Sequence, residues 1–257
     1  MRANDFDPIA DALRRRVIKF YDDQEESLDG AAGVNTLETN SGFVERRAAP
    51  LVQIIRGSTG RASLEGMRLL DLGCGFGALS VFFAAQGALV TGIDPIEERL
   101  EVGRSVAAAH GLTAEFRHGW MEQLDLHDEA FDLAVQNNSL CYVVSRADRR
   151  AALAETRRVL KPGGSLVIRN PNRWNPVDQF TGLPLIQLLP PDQTARVAAL
   201  LGRSRSEVRL TSPLEAIREL RRAGFVGVGH VASPASRWPQ AMKPVARYQH
   251  LTARRPT

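Results

Sequence analysis

Lysine is nearly missing from this chain: 30 of its 33 basic residues are arginine, spread over all 257 positions and mixed with 29 acids. No long basic block interleaved with aromatics occurs, so the net charge of +4 predicts a solvated surface and no nucleic-acid partner. The lysine shortage reads as compositional bias. Cysteine is equally scarce. Two residues, Cys74 and Cys141, cannot build a disulfide framework, and both fall in stretches that read as core, which predicts a reducing, cytoplasmic compartment. No run of roughly 18 apolar residues exists, so no membrane span is expected, and the acids in MRANDFDPIADALRRR argue against a secretory leader. There is no HExxH and no CxxC pair, so no metal is expected.

What is present is alternation. From residue 67 short apolar strands (MRLLDLG, ALVTGID, AEFRHG, FDLAVQN, SLVIRN) alternate with helical patterns at 78–86, 97–110 and 147–160. This predicts an α/β fold with a doubly wound, mostly parallel sheet covered on both faces. KPGG at 161–164 should stop one helix and start the next strand. TSPLEAIRELRRAGF, 211–225, opens on Ser212 as N-cap with Pro213 behind it, and VGVGHV and VARYQHLTAR can supply two final strands. One domain is expected, in four parts. Residues 1–66 form an N-terminal helical cap with an amphipathic start (Ile9, Leu13, Val17, Phe20) and a loop through LETNSGF; 67–170 form the core; 171–211 form an insertion after strand 5; 212–257 complete the sheet. Open α/β sheets bind ligands outside the carboxyl ends of their strands, so the insertion is placed to act as a lid over a substrate.

The chemistry concentrates in DLGCGFG, 71–77. Backbone approaches a ligand closely only where no Cβ intervenes, and a sharp strand-to-helix bend requires positive φ. Gly73, Gly75 and Gly77 meet both needs. The spacing Gly73, Gly75, Ala78 also satisfies the dinucleotide fingerprint, which leaves an NAD-type oxidoreductase open. Asp71 argues against a pyrophosphate, because its charge would repel an anion at that helix N-terminus and attract a cation.

DLGCGFG resembles the first motif of class I S-adenosylmethionine-dependent methyltransferases. GWMEQLDLHDEAFDLAV and RADRRAALAETRRVLKPGGSLVI are similar to the family's later loop, strand and helix, so that residues 67–170 are covered almost continuously. The resemblance implies a seven-stranded sheet whose last strand is antiparallel, and S-adenosylmethionine as cofactor. Carried over by position, Gly73 and Gly75 would face the methionine part, with Asp71 and Cys74 in the same loop. Asp94, followed by Pro95, would accept from the ribose hydroxyls. Trp120 and Met121 would meet the adenine, and Asn137 the amino acid moiety. The family often has an aspartate where this chain has Trp120, so Trp120 stacks on the base instead or Glu122 substitutes.

The implied activity is methyl transfer to a small-molecule acceptor, most readily at the oxygen of a hydroxylated metabolite: a sugar, a glycan precursor or a secondary metabolite. N- or C-methylation and a non-catalytic cofactor-binding role stay open. An alcohol acceptor must lose a proton, and histidine is the usual base. Tyr142 stands where quinone-type relatives commonly place that histidine, and serves as base only with a strongly depressed pKa. Asn138, Asn172, Arg173 and Trp174 are candidate acceptor contacts. The oligomeric state is left open, a homodimer included.

Overall fold

The computed structural model describes residues 7–24, 44–203, 207–231 and 245–257. Helix α1 (Asp7–Asp23) buries Ile9, Leu13, Val17 and Tyr21, one residue per turn on one face. Helix α2 (Val44–Thr59) adds Ala48, Leu51 and Ile55 to the same core. The loop expected at LETNSGF lies outside the described residues. The alternating part follows: β1 (Arg68–Leu72), α3 (Ala78–Ala85), β2 (Leu89–Asp94), α4 (Glu97–Ala109), β3 (Ala114–His118), β4 (Phe131–Asn137), α5 (Arg146–Val159) and β5 (Leu160–Pro171). After β5 come the short helix α6 (Pro191–Leu200), then α7 (Pro213–Arg222), β6 (Val226–Val231) and β7 (Tyr248–Arg254).

The seven strands lie in the order β3-β2-β1-β4-β5-β7-β6. All pairs from β3 to β5 are parallel, and β7 runs antiparallel to both β5 and β6. Apolar residues of β1 show why both faces are covered. Leu69 packs into the layer made by α1 to α4, and Leu70 and Leu72 into the opposite layer with α5 and α7. Strands buried on both faces need consecutive apolar residues, and RLLDL has them.

Helix α7 begins as its sequence requires. The Ser212 hydroxyl accepts from the Glu215 amide at 3.3 Å, and the Glu215 carboxylate accepts from the Ser212 amide at 2.8 Å, a complete capping box. KPGG departs from expectation. It does not separate helix from strand, because β5 begins at Leu160, directly after α5. The physical reason is pairing with the chain end, where the Gly163 amide donates to the Arg255 carbonyl and the Arg255 amide to the Gly164 carbonyl.

Candidate active site

The glycine bend lies where β1 hands over to α3, at the carboxyl edge of the sheet. Gly73, Gly75 and Gly77 all have positive φ, 72°, 56° and 77°. They differ in what surrounds them. A Cβ at Gly73 would stand 2.2 Å from Cβ of Ser139, and one at Gly77 2.5 Å from the Phe116 ring, whereas one at Gly75 meets open space. Two of the three glycines are therefore demanded by the protein's own packing. Only Gly75 leaves bare backbone toward a ligand.

The bend is held from β2. The amides of Gly73 and Cys74 donate to the Ile93 carbonyl at 2.7 and 3.0 Å. Asp94 accepts from the Gly75 amide at 2.8 Å on one oxygen and from the Ile96 amide at 3.1 Å on the other. A carboxylate offers about four acceptor sites, so capacity remains for two hydroxyls of a ligand. Asp94→Ala is expected to weaken nucleoside binding by about 1 to 3 kcal/mol and to loosen the bend as well. Calorimetry with S-adenosylhomocysteine checks the first effect and thermal melting the second; unchanged affinity would remove Asp94 from the site.

Asp71 is buried, and one oxygen accepts from the Ser80 hydroxyl at 2.7 Å. Burial pushes its carboxyl up to about 6; the Ser80 hydrogen bond works against this and the Asp94 charge adds to it. The sign follows from the folded state holding the proton more tightly than the unfolded chain. The contribution of protonated Asp71 to stability is present at acid pH and declines as pH rises from about 4 to about 6. A cationic ligand beside Asp71 favours the ionised form, so its affinity should rise as pH climbs through about 6. Titrations of the sulfonium cofactor at acid and neutral pH test this. Asp71→Asn should abolish the dependence, and a dependence that survives in the variant belongs to another group.

These carboxylates face a cavity of about 520 Å³. Its floor includes Asp71, Gly73, Cys74 and Gly75, one wall Asp94 and Pro95, a second wall Trp120, Met121 and Glu122. The β4 side is formed by Asn137, Asn138, Ser139 and Tyr142. Asn138 has φ 57°, a left-handed turn that brings Ser139 back over the bend, where its hydroxyl donates to the Leu72 carbonyl at 2.6 Å. The Cys74 thiol is raised well above its usual value by burial, which makes it a packing group. Among the described residues no cluster of His, Cys, Asp and Glu could hold a metal ion.

Three expected acceptor contacts are not at the cavity. The sheet continues to Pro171, which carries Asn172, Arg173 and Trp174 past the cavity edge. Asn172 is consumed structurally, donating to the Ala246 carbonyl and accepting from the Trp174 amide. Arg173 approaches Glu215 at 3.6 Å, at the start of α7. Tyr142 does line the cavity, but its phenol is raised by burial, the opposite of what a base requires. Its ring meets Phe180 of the insertion edge to face at 6.4 Å. Two cavity residues with polar side chains were not foreseen from the sequence, Ser139 and Arg99. Arg99 stands over the Phe76 ring, 5.4 Å from its centroid, and the same ring meets Phe20 of α1 edge to face. A lone arginine in the first turn of a helix carries no sequence signal that separates it from the other surface arginines.

A sheet of this order with two carboxylates around a glycine bend defines a Rossmann-like domain suited to a nucleoside ligand that carries positive charge. Residues 69–164 match the family model of the methyltransferase domain. The chain is 36% identical over 118 residues to ubiquinone biosynthesis O-methyltransferase of Maricaulis maris (strain MCS10), covering 46% of this chain and 45% of that one. It is 39% identical over 109 residues to the enzyme of the same name from Roseobacter denitrificans, 42% and 43% covered. The chain thus spans less than half the length of these curated relatives. Among solved structures it resembles a S-adenosylmethionine-dependent methyltransferase from Methanosarcina mazei, with TM-score 0.58 and 22% identity over 79% of this chain and 97% of that one. It also resembles the cyclase SpnF, with TM-score 0.56 and 23% identity over 82% of each chain. Residues 69–164 are thus similar to methyltransferase domains, and the fold is shared with solved methyltransferase structures.

Proposed function

We propose that this protein transfers the methyl group of S-adenosylmethionine to the oxygen of a small hydroxylated acceptor, and that the acceptor is a phenolic metabolite in preference to a sugar or glycan precursor. The observation that carries the cofactor assignment is the pair of buried carboxylates, Asp71 and Asp94, facing the cavity beside the bare backbone of Gly75. Among the described residues neither carboxylate pairs with a lysine or arginine, so both are available to a cationic nucleoside. The residues present fit the cofactor: Asp94 would take the ribose hydroxyls, Gly73 and Gly75 would flank the methionine part, and Asn137 its amino acid end. Trp120, Met121 and Glu122 would border the adenine.

When bound, the cofactor supplies an electrophilic methyl group for in-line displacement by the acceptor. The chain's own task is alignment, which is worth roughly 7 to 11 kcal/mol of such a barrier. The β4 side of the cavity offers Asn137, Asn138, Ser139 and Tyr142, none of which is a base at neutral pH. That favours an acceptor that ionises without help. A phenol ionises near the tyrosine value of about 10, far below an aliphatic alcohol. We assign Tyr142, met by Phe180, to the rim, where it would border the acceptor, and residues 171–211 to a lid over it. The curated relatives' name, O-methyltransferase, points the same way.

Incubation with the cofactor and matched phenol, aliphatic alcohol and amine acceptors, read as released S-adenosylhomocysteine, tests the proposal. Turnover of amines alone would overturn methylation at oxygen. Cofactor binding without turnover of any acceptor would favour a second reading, a role without methyl transfer, for which the cyclase SpnF is the precedent of fold.

A further inference from the structure

Beside the cavity stands an arginine that is bonded to Asn137 but does not itself line the cavity. Arg169 follows the apolar run Leu166, Val167 and Ile168 near the end of β5, and pairs in register with Asn137 of β4 and His250 of β7. Paired positions of a sheet share a face, so Asn137, Arg169 and His250 project together at its carboxyl edge. The guanidinium donates to Asn137 Oδ1 at 3.1 Å and lies 3.5 Å from the centroid of the Tyr248 ring. Among the described residues no carboxylate pairs with it.

A guanidinium shielded from water is costly unless an anion meets it. Here no neighbour among the described residues supplies one. Arg247 reaches the same Tyr248 ring at 5.6 Å, and burial, opposed by Tyr248 and with Arg247 adding, holds Arg169 below the ordinary arginine range. His250 is pushed down to about 3 by burial, with the charges of Arg169 and His230 adding. Stacking on Tyr248 offsets part of the cost. A purely structural arginine would be expected to face a carboxylate, as Arg149 faces Glu219. This one faces a ring, an amide and another arginine.

We propose that Arg169, stacked on Tyr248 and reinforced by Arg247, is the binding point for an anionic group of the acceptor, a carboxylate or a phosphate monoester. The planar fork matches either oxyanion in a bidentate contact. Because the same guanidinium holds Asn137, which lines the cofactor cavity, an anion bound there would set the acceptor's distance from the cofactor. The assignment of that anion to an acceptor rests on the methyl-transfer reading; the anion site itself does not.

The test titrates the full chain with benzoate, phenyl phosphate and methyl benzoate, with and without S-adenosylhomocysteine, following binding by protein nuclear magnetic resonance. One of the two anions should bind about tenfold more tightly than the neutral ester, and the tighter one names the acceptor class. Arg169→Gln should lose that preference while affinity for methyl benzoate stays within about threefold; Arg169→Lys should keep part of it. Equal affinity for all three probes in the unaltered protein overturns the proposal, with no variant needed. So does a preference that persists in Arg169→Gln. Cofactor-product binding without anion preference sinks the anion site alone, whereas anion preference without product binding leaves the site standing and sinks the methyltransferase reading.

Discussion

Arg149→Ala is expected to lower stability by about 3 to 5 kcal/mol, a large share of what holds a domain of this size together. The Arg149 side chain is only 2% exposed and reaches from α5 to Glu219 of α7, with a closest approach of 2.6 Å. Its remaining nitrogen donates to the Leu140 carbonyl at 2.6 Å, in the turn that follows β4. Truncation leaves a half-buried carboxylate and a carbonyl unpaired at once, and the turn that carries Asn138, Ser139 and Tyr142 loses its anchor. Chemical denaturation measures the loss. Replacing both partners, Arg149→Met with Glu219→Met, should cost less, since an apolar pair leaves no unpaired charge and only the Leu140 carbonyl without its donor. A loss below about 1 kcal/mol for Arg149→Ala would mean that water reaches the pair in solution.

Gly73→Ala should be nearly as damaging for a different reason. A φ of 72° strains any residue with a Cβ, and the new carbon would sit 2.2 Å from Cβ of Ser139. Strain and overpacking together predict about 2 to 6 kcal/mol. Gly75→Ala separates packing from ligand approach. Its Cβ meets open space, so stability should fall only by about 1 to 2 kcal/mol from backbone strain while affinity for S-adenosylhomocysteine drops by about tenfold or more. Denaturation and calorimetry on both variants give the comparison. Equal loss of stability in the two would show that the bend, not the contact with Ser139, sets the requirement for glycine.

The core was legible because its signals are local. Consecutive apolar residues mark doubly covered strands, and Ser212 with Pro213 marks a helix start; the capping box with Glu215 bears this out. The seven strands and the antiparallel β7 fit the expected architecture. The cavity gathers all the positions from Asp71 to Asn137 that the sequence had singled out for the cofactor, since each lies at or just past the carboxyl end of a parallel strand and those ends converge on one edge. Asn172, Arg173 and Trp174 lie outside that lining. They follow the end of β5 at Pro171, on the side where Arg173 approaches Glu215 of α7.

Chain order and the glycine, acid and apolar pattern by themselves determined the α/β class, the bend and the acids beside it, because backbone conformation and strand burial depend on neighbouring residues. Contacts between distant segments were decided only on folding. That Gly73 yields to Ser139, that Phe180 reaches Tyr142, and that Arg169 meets Tyr248 and Asn137 with no carboxylate near are facts of which strands lie side by side. Burial sets the cost of a charge, and burial comes only from that assembly.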